Sequence, residues 1–315
     1  PSGSTGYGAA WGDFDNDNNF DLYLSNWGDN ILYKNNPNQS FSDMSSEVNL
    51  KSDSLSNGSA WGDFNNDGYL DIWAANIKKQ DDLFLNSSNG QWNSDYSPFF
   101  QSATQDIIPA DYNNDGWLDV FAAGLQMIGG PNGPKYTSLL YKNISTDSLT
   151  YNNHWLKLDL EGAMLGTSNN GWSELSNRSA IGSRVIVHLP NNINISREVI
   201  AGKGHGSMDP LQLHFGLGES TVIDQITVHW PSKDSITDQP KIIIYDGPIA
   251  VDKRYTIFEN IATPFETLKG DSNDDGIVNI LDVTASINFF FDEIDFTDVQ
   301  YWASDMNSDN QVNVI

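Results

Sequence analysis

The chain has 315 residues, with 16 basic against 42 acidic side chains and a formal charge of −26. So acidic a chain repels phosphate, which excludes a nucleic-acid partner and disfavours docking on an anionic membrane. Cysteine is absent, so disulfides, thiolate metal sites and cysteine nucleophiles are excluded together; no run of about 18 apolar residues offers membrane insertion. With 10 Trp, 12 Tyr and 15 Phe, the chain reads as folded rather than as a disordered acidic tail. It opens at Pro1 without a signal peptide and reads as a processed or excised piece.

Self-comparison finds three aligned segments over residues 1–150. They are Ala10-Trp11-Gly12-Asp13-Phe14-Asp15-Asn16-Asp17, Ala60-Trp61-Gly62-Asp63-Phe64-Asn65-Asn66-Asp67 and Ala110-Asp111-Tyr112-Asn113-Asn114-Asp115. Asp13 to Asp63 is 50 positions and Asp63 to Asp111 is 48. An echo follows each: Leu32-Tyr33-Lys34-Asn35, Leu83-Phe84-Leu85-Asn86 and Leu140-Tyr141-Lys142-Asn143. Each unit reads as strand, acidic loop, strand, turn, strand, and a period of about 50 residues suggests propeller blades. Three blades cannot close a propeller. The first loop starts so soon after Pro1 that the first blade is expected to lack its opening strand.

Each loop puts oxygen side chains at positions 1, 3, 5 and 9: Asp13, Asp15, Asp17 and Asp21; Asp63, Asn65, Asp67 and Asp71; Asp111, Asn113, Asp115 and Asp119. The position-7 carbonyls of Asn19, Tyr69 and Trp117 can add another oxygen. Position 6 is Asn18, Gly68 or Gly116, residues that tolerate a left-handed turn. Six or seven hard oxygens at flexible distances suit Ca²⁺ better than Mg²⁺, which demands an octahedron and keeps its waters.

Near Tyr151 the pattern changes. Over 151–262 it becomes period-two alternation, as in Trp155-Leu156-Lys157-Leu158 and Val185-Ile186-Val187-His188-Leu189, which predicts an antiparallel sandwich or barrel. Thr263-Pro264-Phe265-Glu266 reads as a linker, after which Ile280, Val283, Ile287 and Phe291 follow a helical period. Within 263–315, Asp271, Asn273, Asp275, Ile277 (carbonyl), Asn279 and Asp282 fit the 12-residue EF-hand spacing. A second such loop offers Asp305, Asn307, Asp309, Gln311 and Asn313 and stops one residue short of its last ligand. The chain therefore predicts about four or five Ca²⁺ sites.

The Trp-Gly-Asp-Phe-x-Asn-Asp-Gly-x-x-Asp pattern resembles the FG-GAP/VCBS repeats of integrin-type β-propellers. The middle section resembles the ASPIC/UnbV domain, on Asn153-His154-Trp155-Leu156, Asn177-Arg178-Ser179-Ala180-Ile181-Gly182, His214-Phe215-Gly216-Leu217-Gly218 and Val228-His229-Trp230-Pro231. That order resembles the cartilage acidic protein family. Gly270–Ile315 resembles a type I dockerin, although Ile280-Leu281 stands where cohesin-binding dockerins often carry Ser-Thr. The resemblance implies a mainly β, Ca²⁺-dependent extracellular or cell-surface module without established catalysis.

Catalytic signals are weak. Gly202-Lys203-Gly204-His205-Gly206-Ser207 lacks the rest of a phosphate-binding motif, and His205, Ser207 and Asp209 sit too close in sequence for a triad. The histidines, Arg178 and Arg184 read as structural, and Trp11, Trp61 and Trp117 as packing rather than a sugar platform. The expected protein is therefore a non-enzymatic adhesion or structural protein meeting a protein or glycan at the cell surface. The alternatives are a carbohydrate-binding or carbohydrate-processing component with a cohesin-like receptor, or a subunit that self-assembles into an extracellular oligomer or filament.

Overall fold

The structure is a computed structural model; it describes residues 5–48, 50, 55–93, 104–124, 138–144, 152–162, 176–203, 207–233, 239–259, 281, 283–286 and 300. It is mainly β, and no sheet among the described residues closes into a barrel. Three small antiparallel sheets come first. β1 (Thr5–Gly12), β2 (Asp21–Trp27), β3 (Ile31–Asn35) and β4 (Phe41–Asp43) form the first, in that order. β5 (Ser56–Gly62), β6 (Asp71–Asn76) and β7 (Asp82–Phe84) form the second, and β8 (Thr104–Ala110), β9 (Asp119–Gly124) and β10 (Leu139–Tyr141) the third. The first sheet thus has an opening strand, β1, contrary to the sequence expectation: eight residues before the loop are enough to pair with β2 from Thr5 to Gly12.

The sheets pack face to face in chain order, with β1, β5 and β8 as neighbours. The middle strand β6 shows why. Its six residues are all buried, because Ile72 and Ala74 face a cluster with Phe14, Tyr23 and Leu32, while Trp73 and Ala75 face another with Ile107, Val120 and Ala122. Burial on both faces removes the polar alternation that a half-solvated strand would show.

Asparagines staple one sheet to the next. Asn86 Nδ2 donates to Phe14 O at 2.8 Å and Asn143 Nδ2 to Phe64 O at 2.8 Å. At position 4 of the acidic loops, Asn16 Nδ2 reaches Gly68 O (3.0 Å) and Asn66 Nδ2 reaches Gly116 O (3.1 Å). Asn16, Asn66 and Asn114 all hold positive φ, a conformation that asparagine tolerates better than most residues.

The second half comprises β11 (His154–Glu161), β12 (Arg184–Leu189), a 3₁₀ turn (Pro190–Asn192), β13 (Ile193–Glu198), β14 (Leu213–Gly218), β15 (Val222–Lys233), β16 (Pro240–Ala250) and β17 (Lys253–Phe258). Two sheets, ordered β14-β11-β17 and β13-β12-β15-β16, face each other across one core that includes Leu156, Val187, Phe215, Val228 and Ile257. The sandwich alternation is present, but the arrangement is not wholly antiparallel: β11 and β17 pair in parallel. Alternation reports which face is buried and carries no information about strand direction. Further on, residues 281, 283–286 and 300 are helical. The linker at 263–266 and the predicted ligands Asp271, Asn273, Asp275, Ile277, Asn279, Asp282, Asp305, Asn307, Asp309, Gln311 and Asn313 lie outside the described residues.

Asn86 is buried and bonds carbonyls of two sheets, Phe14 O and Leu70 O. Asn86→Ala is expected to cost about 1–3 kcal/mol, because it strands buried acceptors. Exposed Asn36, which bonds only within its own turn, should tolerate alanine within about 0.5 kcal/mol. Urea denaturation midpoints compare the two, and equal midpoints would show that the staple contributes nothing.

Candidate metal centres

The three acidic loops share one hydrogen-bond scheme. The position-5 amide donates to the position-1 and position-3 side chains: Asp17 N to Asp13 and Asp15, Asp67 N to Asp63 and Asn65, Asp115 N to Asp111 and Asn113. The position-6 amides of Asn18, Gly68 and Gly116 reach the second oxygen of position 1. Asn19, Tyr69 and Trp117 donate their amides to position 5 at 2.8, 2.9 and 3.1 Å. The position-9 acids Asp21, Asp71 and Asp119 each accept the amide of the trailing asparagine, from Asn35, Asn86 and Asn143. Asn18, Gly68 and Gly116 all hold positive φ, as the sequence predicts. Alternate side chains are thereby turned inward.

In the first loop, Asp13, Asp15 and Asp21 each offer an oxygen within 4.8 Å of the others. Oxygens on opposite sides of a Ca²⁺ at about 2.4 Å stand about 4.8 Å apart, so this set fits that ion. In the second and third loops Asn65 and Asn113 replace one carboxylate with an amide. The third loop also leaves Asp119 Oδ2 buried without a hydrogen bond of standard geometry, although the Tyr112 amide lies close enough to interact.

Burial is the main force on these acids. It raises Asp21 to about 7, against two backbone hydrogen bonds that pull it down. Asp63, Asp67 and Asp71 are all raised, first by burial, with repulsion from neighbouring loop acids adding to Asp63 and Asp71. The chain supplies some compensation. Lys34 pairs with Asp15 and with Asp17 (3.0 Å), and Lys142 stands 3.8 Å from Asp115. Leu85 occupies the matching place in the second unit, so that loop has no such lysine.

The second half of the molecule lies against these loops. From β11, Lys157 Nζ donates to Asp111 Oδ2 at 2.7 Å and Asn114 Oδ1 at 3.0 Å, an ion pair with 2% and 1% side-chain exposure. From β13, Ser196 Oγ donates to Asp13 Oδ2 at 2.7 Å, and Arg197 is attracted by Asp63, Asp13, Asp71 and Asp67. From β14, His214 Nε2 meets Gly116 O at 3.0 Å and Gly218 N donates to Asn66 O at 2.8 Å. Asn153 Nδ2 reaches Asn65 O at 2.8 Å, and Arg184 Nη2 reaches Asn18 O at 2.6 Å. Contact is so close that a Cβ on Gly116 would overlap the Trp155 ring, and one on Gly216 would overlap Asp63 and Asn66. The sequence reading placed the acidic spacing of the loops but did not name Lys157, Ser196 and Arg197 as partners of those acids. Their only signal was a lysine and an arginine inside strands that otherwise alternate.

Other candidates have structural partners. Ser207 Oγ donates to Asp106, and Asp209 pairs with Lys203 at 2.8 Å; His205 lies outside the described residues. His154 pairs with Asp252, His188 bonds Asn194 and Thr227, and Arg178 stands 3.7 Å from Glu161. Trp61 and Trp117 pack as expected, whereas Trp11 is 48% exposed and meets the Phe41 ring at 6.4 Å between centroids.

Two outcomes follow for the metal-free protein. Lys157→Met should destabilise by about 3–5 kcal/mol, because it strands a buried carboxylate, whereas Lys142→Met should cost no more than about 1 kcal/mol. Matched losses in thermal melts would contradict this. Raised acids bind more protons folded than unfolded, so between about pH 4 and pH 7 they make stability fall as pH rises. His214, which burial lowers to about 4, acts oppositely: its contribution is lost as pH drops below about 6.5. Several acids outweigh His214 and His229, the second also lowered by burial, so chelated protein should melt higher near about pH 6 than near about pH 8; the reverse order would refute the balance.

Residues 13–74 and 63–122 match the FG-GAP-like repeat family, and residues 173–264 match ASPIC and UnbV. A comparison with curated proteins finds no match. Neither family match extends past residue 264, so the dockerin-like reading of the C-terminal segment gains no support from them. The chain carries FG-GAP-like repeats, each match spanning two successive acidic loops, followed by an ASPIC/UnbV domain.

Proposed function

We propose that this chain is a calcium-stabilised, non-catalytic binding or assembly protein that works outside the cell or at its surface. The three repeat sheets act as consecutive propeller blades, and the ASPIC/UnbV domain caps their loop face. The observation that carries this reading is the shared loop scheme, which repeats the same amide-to-side-chain hydrogen bonds in three copies and, in the first loop, brings oxygens of Asp13, Asp15 and Asp21 within 4.8 Å of one another. A divalent ion would be held by Asp13, Asp15, Asp17 and Asp21, by Asp63, Asn65, Asp67 and Asp71, and by Asp111, Asn113, Asp115 and Asp119. The carbonyls of Asn19, Tyr69 and Trp117 would complete each set. Oxygen-only donors at flexible spacing favour Ca²⁺. The side chains best suited to nucleophilic chemistry, Ser207 and Asp209, are tied to Asp106 and Lys203, which favours a binding role. FG-GAP repeats are typical of extracellular or surface proteins, and no described helix is long and apolar enough to cross a membrane. The two C-terminal loops would add one or two further sites.

Titration calorimetry of chelator-stripped protein should register Ca²⁺ uptake, and saturation at about 100 Kd should stabilise by about 2.7 kcal/mol per site. Asp67→Ala should remove much of the uptake at the second loop. Lys34→Leu should tighten the first, since it removes a competing cation and copies Leu85. A melting transition unmoved by excess Ca²⁺ would overturn the reading.

A further inference from the structure

The two contacts between repeat sheets use the same positions each time. A tail face, formed by Phe14, Tyr23 and Leu32 in the first sheet and by Phe64, Trp73 and Leu83 in the second, receives a head face of the sheet that follows. Ile72 and Ala74 mark the head face of the second sheet, Val120 and Ala122 that of the third. At the two ends of the stack the matching positions stay open. Tyr112, Phe121 and Leu140, the tail positions of the third sheet, are 50%, 41% and 54% exposed, whereas their six counterparts are at most 8% exposed. On the head face of the first sheet, Leu22 and Leu24 are only half-buried, and Trp11 and Phe41 are exposed. We propose that the tail face of the third sheet receives the head face of the first sheet of a second copy, joining copies of this chain head to tail. The inference rests on the assembly role proposed above and names its partner.

The internal contacts supply the pattern of the joint. Trp61 stacks on Phe14 with ring centroids 6.4 Å apart, and Trp92 meets the same ring at 5.8 Å. Tyr112 stands at the repeat position of Phe14 and Trp11 at that of Trp61. Phe41, six residues after the trailing asparagine, stands at that of Trp92. The exposed tyrosine of one copy therefore meets two exposed rings that lie side by side on the next.

The asparagine staples continue in the same register. Each trailing asparagine donates within its own unit, Asn35 to Phe20 O, Asn86 to Leu70 O and Asn143 to Leu118 O. Asn86 and Asn143 also donate to the preceding sheet, at Phe14 O and Phe64 O. For Asn35 the matching acceptor is Tyr112 O of another copy. At position 4, Asn114 matches Asn16 and Asn66, and its amide finds Asn18 O of the next copy. That oxygen already accepts from Arg184, but its counterpart Gly116 O accepts from Asn66 and His214 together. Large open apolar faces mark contact surfaces, and these two are different faces of one chain that fit each other. Such a contact is heterologous, so it closes into a ring or extends as a filament.

Sedimentation velocity of the full chain in Ca²⁺-containing buffer, across a wide range of concentration and salt, should show reversible self-association. Salt should strengthen it, because copies of formal charge −26 repel one another. Trp11→Lys on the head face and Phe121→Lys on the tail face change exposed side chains, and each should weaken association about thirtyfold, the loss of one aromatic hot spot. Leu140→Lys, on the strand beside Phe121, should match the second, while Ile242→Lys, exposed on β16, should leave association unchanged. Mixed together, the Trp11→Lys and Phe121→Lys proteins keep one intact face apiece and should form a one-to-one dimer and nothing larger. A monomer at every concentration, which a segment of the same chain lying across these faces would give, overturns the proposal. So does association that survives the head and tail substitutions or is lost equally in Ile242→Lys. Calcium uptake measured on the same samples separates this failure from failure of the calcium reading.

Discussion

Buried negative charge is the constraint around which the molecule is built. Asp13, Asp21, Asp63, Asp71 and Asp119 are each at most 1% exposed, and a carboxylate out of water is costly unless it is hydrogen-bonded or paired. The loops meet this cost locally with backbone amides, whose dipoles partly solvate the oxygens but bring no net charge. The remainder must come from cations, and the chain draws them from two directions. Lys34 and Lys142 rise from the repeat sheets themselves, while Lys157 and Arg197 descend from the second half.

That second source turns an electrostatic problem into an architectural one. Lys157 and Ser196 bond the first residues of the third and first loops, and other side chains and amides of the second half bond loop carbonyls, so the acidic loops themselves form the interface between the two halves. A shift of the second half away from the loops would therefore expose or strand charge in the repeats. Gly116 and Gly216 are the steric side of this coupling: only a missing Cβ lets Trp155 and Asp63 approach.

The staples between repeat sheets follow the same economy of form. One residue type, asparagine, recurs at loop position 4 and after the third strand, and its amide bonds a carbonyl on the neighbouring sheet. Where the third loop has no following sheet among the described residues, Asn114 accepts from Lys157 instead. The same position thus joins sheet to sheet in two units and repeats to domain in the last.

The sequence by itself determined what is periodic and local. The left-handed residues at position 6 and the strand, loop, strand pattern of each repeat unit are consequences of neighbours along the chain, and the structure shows them. It did not determine what depends on distant segments meeting. The parallel pairing of β11 with β17 joins residues almost a hundred apart, and Ser196 lies 183 positions from the aspartate it bonds. No periodicity spans such gaps. Lys157 on its own looks like a solvated strand residue, and Trp11 looks like its repeat partner Trp61. Only the tertiary structure buried the lysine under Asp111 and left the tryptophan half in water, because burial depends on which surface arrives opposite.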